Sequence, residues 1–119
     1  MHRFKELVVW QKSRELVKDI YQLTSQFPTS EMYGLTSQIQ RSVISIPSNI
    51  AEGSGKSSKK DFIRFLEIAY SSSYELESHL LISIDLGFIS TMQHEKVALK
   101  LDEIQKMIYG LIQKMKENE

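Results

Sequence analysis

The sequence has no cysteine, and its formal net charge at neutral pH is zero. The first absence excludes disulfides, thiolate nucleophiles and thiolate metal sites, and it suits a reducing compartment. The second, fifteen basic residues against fifteen acidic ones, removes any global attraction to nucleic acid or to a membrane surface, so an electrostatic function has to come from local charge distribution. With two prolines and five glycines in 119 residues, little interrupts the chain, and long elements are expected. Alternation of the strand type is missing. Long apolar runs are missing too: stretches such as Leu80–Ile82 are far too short for a bilayer, and the opening MHRFKELVVW holds no signal-peptide core. These features predict one cytoplasmic domain over residues 1–119, with no membrane partner.

The patterns that would support catalysis are equally thin. Di-iron carboxylate bundles need Glu-x-x-His on two helices; here Glu75 and His79 are four apart, His2 and His94 are isolated from them, and no metal or other cofactor is expected. Ser57 and Lys60 have the Ser-x-x-Lys spacing, but in a basic loop without supporting partners. Gly53-Ser54-Gly55-Lys56-Ser57 looks superficially like a phosphate loop, yet the position that pattern reserves for its first glycine is Ile50, on a helix. A non-enzymatic protein is the expectation.

What is present is helical periodicity. In the central stretch Tyr33–Gly53, residues Leu35, Ile39, Val43, Ile46 and Ile50 recur at steps of four, four, three and four and so share one stripe. Pro47 lies inside that helix. It lacks an amide donor and crowds the preceding turn, which predicts a kink and not a break, because the stripe keeps its phase across the proline. Asn49 and Glu52 are polar groups close to the stripe, expected to bond a neighbouring helix, another subunit or carbonyls freed by the proline. Gly53 and Gly55 are read as the stop.

A first helix is predicted from about Phe4 to Gln26, with Ser13, Leu16, Ile20, Leu23 and Phe27 inward, ended by Phe27-Pro28. Thr29 or Ser30 is the expected cap of the second helix, with Glu31 in its first turn. The third starts at a Ser58–Asp61 capping box, places Phe62, Leu66, Ala69, Ser73, Leu76 and Leu80 inward, and closes at Leu86-Gly87. Ser71, Ser72 and Ser73 suggest close helix approach. The fourth starts at a Ser90–Gln93 box and buries Val97, Leu101, Ile104, Ile108, Leu111 and Met115; Gly110 within it suggests a close contact, and residues 116–119 are expected to fray. Four such helices with short turns specify an all-α, antiparallel up-down four-helix bundle with a proline-kinked second helix.

Charge is distributed unevenly along this bundle. Residues 56–64 hold Lys56, Lys59, Lys60 and Arg64 against Asp61, whereas residues 67–89 hold only the acids Glu67, Glu75, Glu77 and Asp85. The basic turn can grip phosphates or complement acids on a neighbouring subunit.

Val9-Trp10-Gln11-Lys12, Phe27-Pro28, Glu31-x-Tyr33-Gly34-Leu35, the SIPSNIAEG block at 45–53, Phe65-Leu66-x-Ile68-Ala69 and Glu75-Leu76-Glu77 occur in this order. Over at least Phe4 to Leu86 the chain resembles the four-helix-bundle proteins encoded in intervening sequences of bacterial 23S ribosomal RNA genes. It is similar also to the accessory variability protein of diversity-generating retroelements, which binds nucleic acid and works with a reverse transcriptase. The resemblance implies a bacterial protein assembled as a ring-shaped homopentamer, with RNA or DNA as first candidate partner. A protein partner such as a polymerase, or a purely structural ring, is the alternative. Lys12, Arg14, Arg41, Lys56, Lys59, Lys60 and Arg64 are the expected phosphate contacts. Trp10, Tyr33, Pro47, Asn49, Glu52, Tyr70 and Tyr74 are the expected structural or interface residues, and Ile63, Tyr70 and Ile84 a second apolar face of helix three that a ring would bury.

Overall fold

The inward stripes close on one another. The computed structural model describes residues 3–117 and contains α1 (Val8–Thr24), α2 (Leu35–Ser54), α3 (Lys59–Asp85) and α4 (Thr91–Glu117), with 3-10 turns at Phe4–Glu6 and Thr29–Glu31. Each helix packs on its neighbours in sequence, and α1 closes the ring against α4. Cross-helix pairs fix the directions. Along α1 and α4 these are Lys12 with Glu103, Asp19 with Lys100 and Gln26 with Gln93, in falling order along α4. Ser45 and Gly53 of α2 meet Ser72 and Phe65 of α3, and Glu67 and Glu77 of α3 meet Lys116 and Gln105 of α4, so these neighbours too run antiparallel, in a body of 46 × 24 × 20 Å. His2 and the last two residues of the expected frayed tail lie outside the described residues, while α4 includes Lys116 and Glu117.

The core is the predicted one with a few additions, except that Leu35 and Leu111 are only partly buried at its edge. Leu16, Ile20, Ile39, Val43, Ile46, Ile50, Leu66, Ala69, Leu76 and Ile108 are fully buried, and Ile112 and Ile89 join them. Serines inside the stripes are accommodated by bonding to their own helix: Ser13 donates to the Val9 carbonyl, Ser42 to Ile39, Ser73 to Tyr70 and Ser83 to His79. Each hydroxyl is satisfied without a partner from outside, so a small polar side chain can sit where two helices meet.

The predicted capping boxes fall where expected. Ser58 Oγ accepts from the Asp61 amide at 3.1 Å; Ser90 and Gln93 bond reciprocally at 2.9 and 3.1 Å. Gly87, at φ 77°, ends α3 in a Schellman motif, its amide on the Ile84 carbonyl and that of Phe88 on Ser83, both at 2.9 Å.

Elsewhere the sequence expectations need correction. The first helix does not start at Phe4: the chain turns at Leu7, in extended conformation, and only then enters α1. Neither Thr29 nor Ser30 caps α2. Gly34 occupies the cap position, and the Glu31 carboxylate accepts from the Leu35 amide at 3.3 Å. Gly53 does not stop α2, which runs to Ser54 with Gly55 as its cap. A Cβ on Gly53 would lie 2.7 Å from Phe65 Cβ, so this glycine lets α3 approach. Gly110 is exposed, with no atom within 4 Å of its Cβ position, so it marks no contact. Ile63 is buried in the core and so drops out of the predicted second face of helix three, whereas Tyr70 and Ile84 pack against the core and stay partly exposed.

Candidate nucleic-acid interface

Antiparallel packing collects three chain segments at one end of the bundle: the start of α1, the turn between α2 and α3, and the end of α4. Charge follows. Arg3, Lys5 and Arg14 come with the first, Lys56, Lys59, Lys60 and Arg64 with the second, and Lys114 and Lys116 with the third.

At the turn, the Phe65 ring is flanked by two cations, with Lys56 Nζ 5.1 Å and Arg64 Cζ 4.9 Å from its centroid. Arg64 is exposed and Lys56 half-buried, each laying a long stem beside the ring. Arg64 also lies 3.9 Å from Asp61, an exposed contact of small worth. Lys59 and Lys60 occupy the first turn of α3 and are exposed. A helix N-terminus carries partial positive charge, so lysines there cost stability while raising the attraction for an anion.

On the α1 side, Trp10 is half-buried. Phe4 meets it edge-on at 4.9 Å and the Arg14 guanidinium sits 5.5 Å from its ring. The indole and Arg14 form a wall shared by two open grooves. One, of about 620 Å³, is rimmed by Lys5, Gln11 and Lys18; the other, of about 380 Å³, is lined by Phe4, Val17, Ile44, Pro47 and Ala51 between α1 and α2.

Two of the predicted contacts stand apart. Lys12 is bound to Glu103 of α4 at 2.7 Å, and that hydrogen bond, with the charge behind it, holds its ammonium pKa above the usual 10.5. Arg41 is exposed on α2, but it precedes Lys56 by fifteen residues, roughly 22 Å of helix, and does not share the basic end. The other five, Arg14, Lys56, Lys59, Lys60 and Arg64, do share it. Phe65, Phe4, Lys5 and Lys18 were not singled out by residue type; the four-residue step from Trp10 to Arg14 and the Arg64-Phe65 neighbours were the signals available.

The remaining predicted residues have mostly structural surroundings. Asn49 donates to the Ser45 carbonyl at 2.8 Å and to Ser45 Oγ at 2.9 Å, and that hydroxyl bonds Ser72 of α3 at 2.8 Å. It thus serves its own helix and, through Ser45, the neighbour. Glu52 is exposed; Pro47 lies within an unbroken α2. Tyr70 packs on the core and shares a 3.1 Å hydrogen bond with Tyr74, which raises the Tyr70 pKa above 10.0. Tyr74, half exposed, and Tyr33, 93% exposed, remain open to a partner. Glu75 and His79 meet at 3.5 Å on α3.

The model of the 23S rRNA-intervening sequence protein family matches residues 5–110. A crystal structure from Bacteroides thetaiotaomicron, of a protein of unknown function in the S23 ribosomal protein family, is similar with a TM-score of 0.80 and 31% identity, over 88% of this chain and 98% of that one. No match was found among the curated proteins. Bundle, motif order and family model agree over most of the length, and the chain belongs to the 23S rRNA-intervening sequence protein family.

Proposed function

We propose that the protein is a non-enzymatic nucleic-acid-binding module whose basic end holds a phosphate backbone. The carrying observation is the turn between α2 and α3, where Lys56 and Arg64 flank Phe65 and two lysines occupy the first turn of α3. Cations at a helix N-terminus work against the helix dipole, and an anionic ligand turns that cost into binding energy. Zero net charge does not oppose this, because phosphates respond to the local field of the end they meet. The test is fluorescence anisotropy of labelled RNA and DNA titrated with the protein at low and near-physiological salt. Affinity that falls steeply as salt rises supports the proposal; absence of binding at low salt removes it.

The protein works as a homopentameric ring in this proposal. Its support is the apolar surface that one bundle leaves open: Tyr74 and Leu81 on α3, Leu86 just after it, Leu99 and Tyr109 on α4, and Tyr33 before α2, are each about half exposed or more. Light scattering should return five times the 13.8 kDa chain mass; a monomer at micromolar concentration would reject the ring. The same surface favours, as second reading, an adaptor for a protein partner, which predicts binding that resists salt.

A further inference from the structure

The two aromatic rings at the basic end bear the same decoration and lie on opposite flanks of one helix. Trp10 and Arg14 form a wall of the groove beside Ala51 and Pro47 of α2; two residues beyond Ala51, Gly53 packs directly against Phe65. The last turns of α2 therefore stand between Trp10 and Phe65, and a helix with its side chains is roughly 10–12 Å across. Each ring has a cation over it: Arg14 on Trp10, Lys56 and Arg64 on Phe65.

A surface meant only for the backbone of a duplex needs cations and gains nothing from aromatic rings under them, since paired bases are stacked inside the helix. Single-stranded binding needs both: positive charge to follow the backbone and ring faces on which unpaired bases stack. The cations here are poised for an exchange. A guanidinium or ammonium over the open face of a half-buried surface ring is held weakly, and a stacked base holds the ring more strongly. An arriving base takes the ring face, and the displaced cation, still tethered beside it, meets the phosphate of the same nucleotide.

We infer that the basic end is a single-stranded nucleic-acid site in which Trp10 and Phe65 stack unpaired bases while Arg14, Lys56 and Arg64 take the adjoining phosphates. This rests on the phosphate-binding reading above and adds the strandedness of the ligand. Phe4, edge-on to Trp10, and Gly53, beneath Phe65, fix the two rings in place.

Trp10 is the one tryptophan of the chain, so its fluorescence reports the site directly. The probes are a single-stranded oligouridylate, an RNA duplex of equal length and heparin, a polyanion without bases. The expected result is that oligouridylate quenches Trp10 emission at saturation while duplex and heparin leave it unmoved. By anisotropy, Trp10→Leu and Phe65→Leu, which keep an apolar side chain against the core, should each weaken oligouridylate binding about 10-fold and duplex binding less than about 2-fold. Circular dichroism of both variants controls for folding. Three outcomes overturn the inference: equal affinity for single strand and duplex with Trp10 emission unmoved, equal loss of both ligands in the variants, or quenching by heparin as strong as by oligouridylate. In each of these the phosphate reading survives. If none of the three probes binds, that reading fails and this one with it.

Discussion

Two glycines within helices show how far one residue's context decides its effect. At Gly53 an added Cβ meets Phe65 Cβ at 2.7 Å and Phe62 Cδ1 at 3.0 Å, both belonging to the helix that packs there. The propensity gained by alanine, about 1 kcal/mol, is outweighed by moving α3 away, and Gly53→Ala should destabilise by about 1–3 kcal/mol. At Gly110 the added methyl meets nothing, so Gly110→Ala should stabilise by about 1 kcal/mol. Urea denaturation of both variants measures the pair; shifts of the same sign would contradict the packing account. Sequence alone could not separate the two, since what decides is an atom on another helix. Titration offers a second residue-scale check. The Lys12 pKa is raised by its bond to Glu103, and that of Tyr70 by its bond to Tyr74. In both cases the folded state holds its proton more tightly than the unfolded one. The stability they contribute is complete below the unfolded values and is lost as pH rises through the folded ones, above 10.5 for Lys12 and above 10.0 for Tyr70. Thermal melts across the alkaline range should fall more steeply for wild type than for a Lys12→Met, Tyr70→Phe double variant.

Among the elements, α2 runs as one helix through Pro47, from Leu35 to Ser54. A proline at that position supplies no amide to the Val43 carbonyl and crowds the preceding turn, costs that an interior alanine avoids. Pro47→Ala should therefore stabilise by about 1–3 kcal/mol, read as a rise in urea midpoint at unchanged slope. A loss of stability would mean that packing against α1 requires the proline-imposed shape. The helices were legible because periodicity and capping are local. Ile39, Val43, Ile46 and Ile50 repeat with the helical period and are fully buried, and the Ser58 and Ser90 caps bond residues three positions on. The start of α2 was not legible for the same reason inverted. Its capping oxygen comes from the Glu31 carboxylate, in a separate 3-10 turn before Gly34, and no spacing rule marks it. The outward placement expected of Ile63 failed because α3 is flanked by both α2 and α4, which widens its buried face beyond a single stripe.

Over the whole molecule, charge is polarised although the total is zero. Acids in the middle of the bundle are engaged across helices: Glu103 by Lys12, Asp19 by Lys100, Glu77 by Gln105 at 2.9 Å. The turn at the basic end, by contrast, keeps its cations on its aromatic ring and in the first turn of α3. The sequence displayed the run of lysines there but hid its setting, because Trp10 and Phe65 are far apart in the chain and reach the same end of the bundle, on either side of α2, only through antiparallel packing. Replacing Lys56, Lys59, Lys60 and Arg64 together by glutamine separates stability from binding. Two of the four sit where the helix dipole disfavours cations and the others make weak cation–ring contacts at the surface, so the melting temperature should stay within a few degrees of wild type. Binding should respond in proportion to the phosphates released. Each lost contact lowers the slope of log affinity against log salt by about 0.7 for a single strand, so four give a reduction of about 3. A variant that melts like wild type yet keeps the full salt slope would place the phosphate contacts elsewhere on the bundle, with exposed Arg41 on α2 the next cation to test.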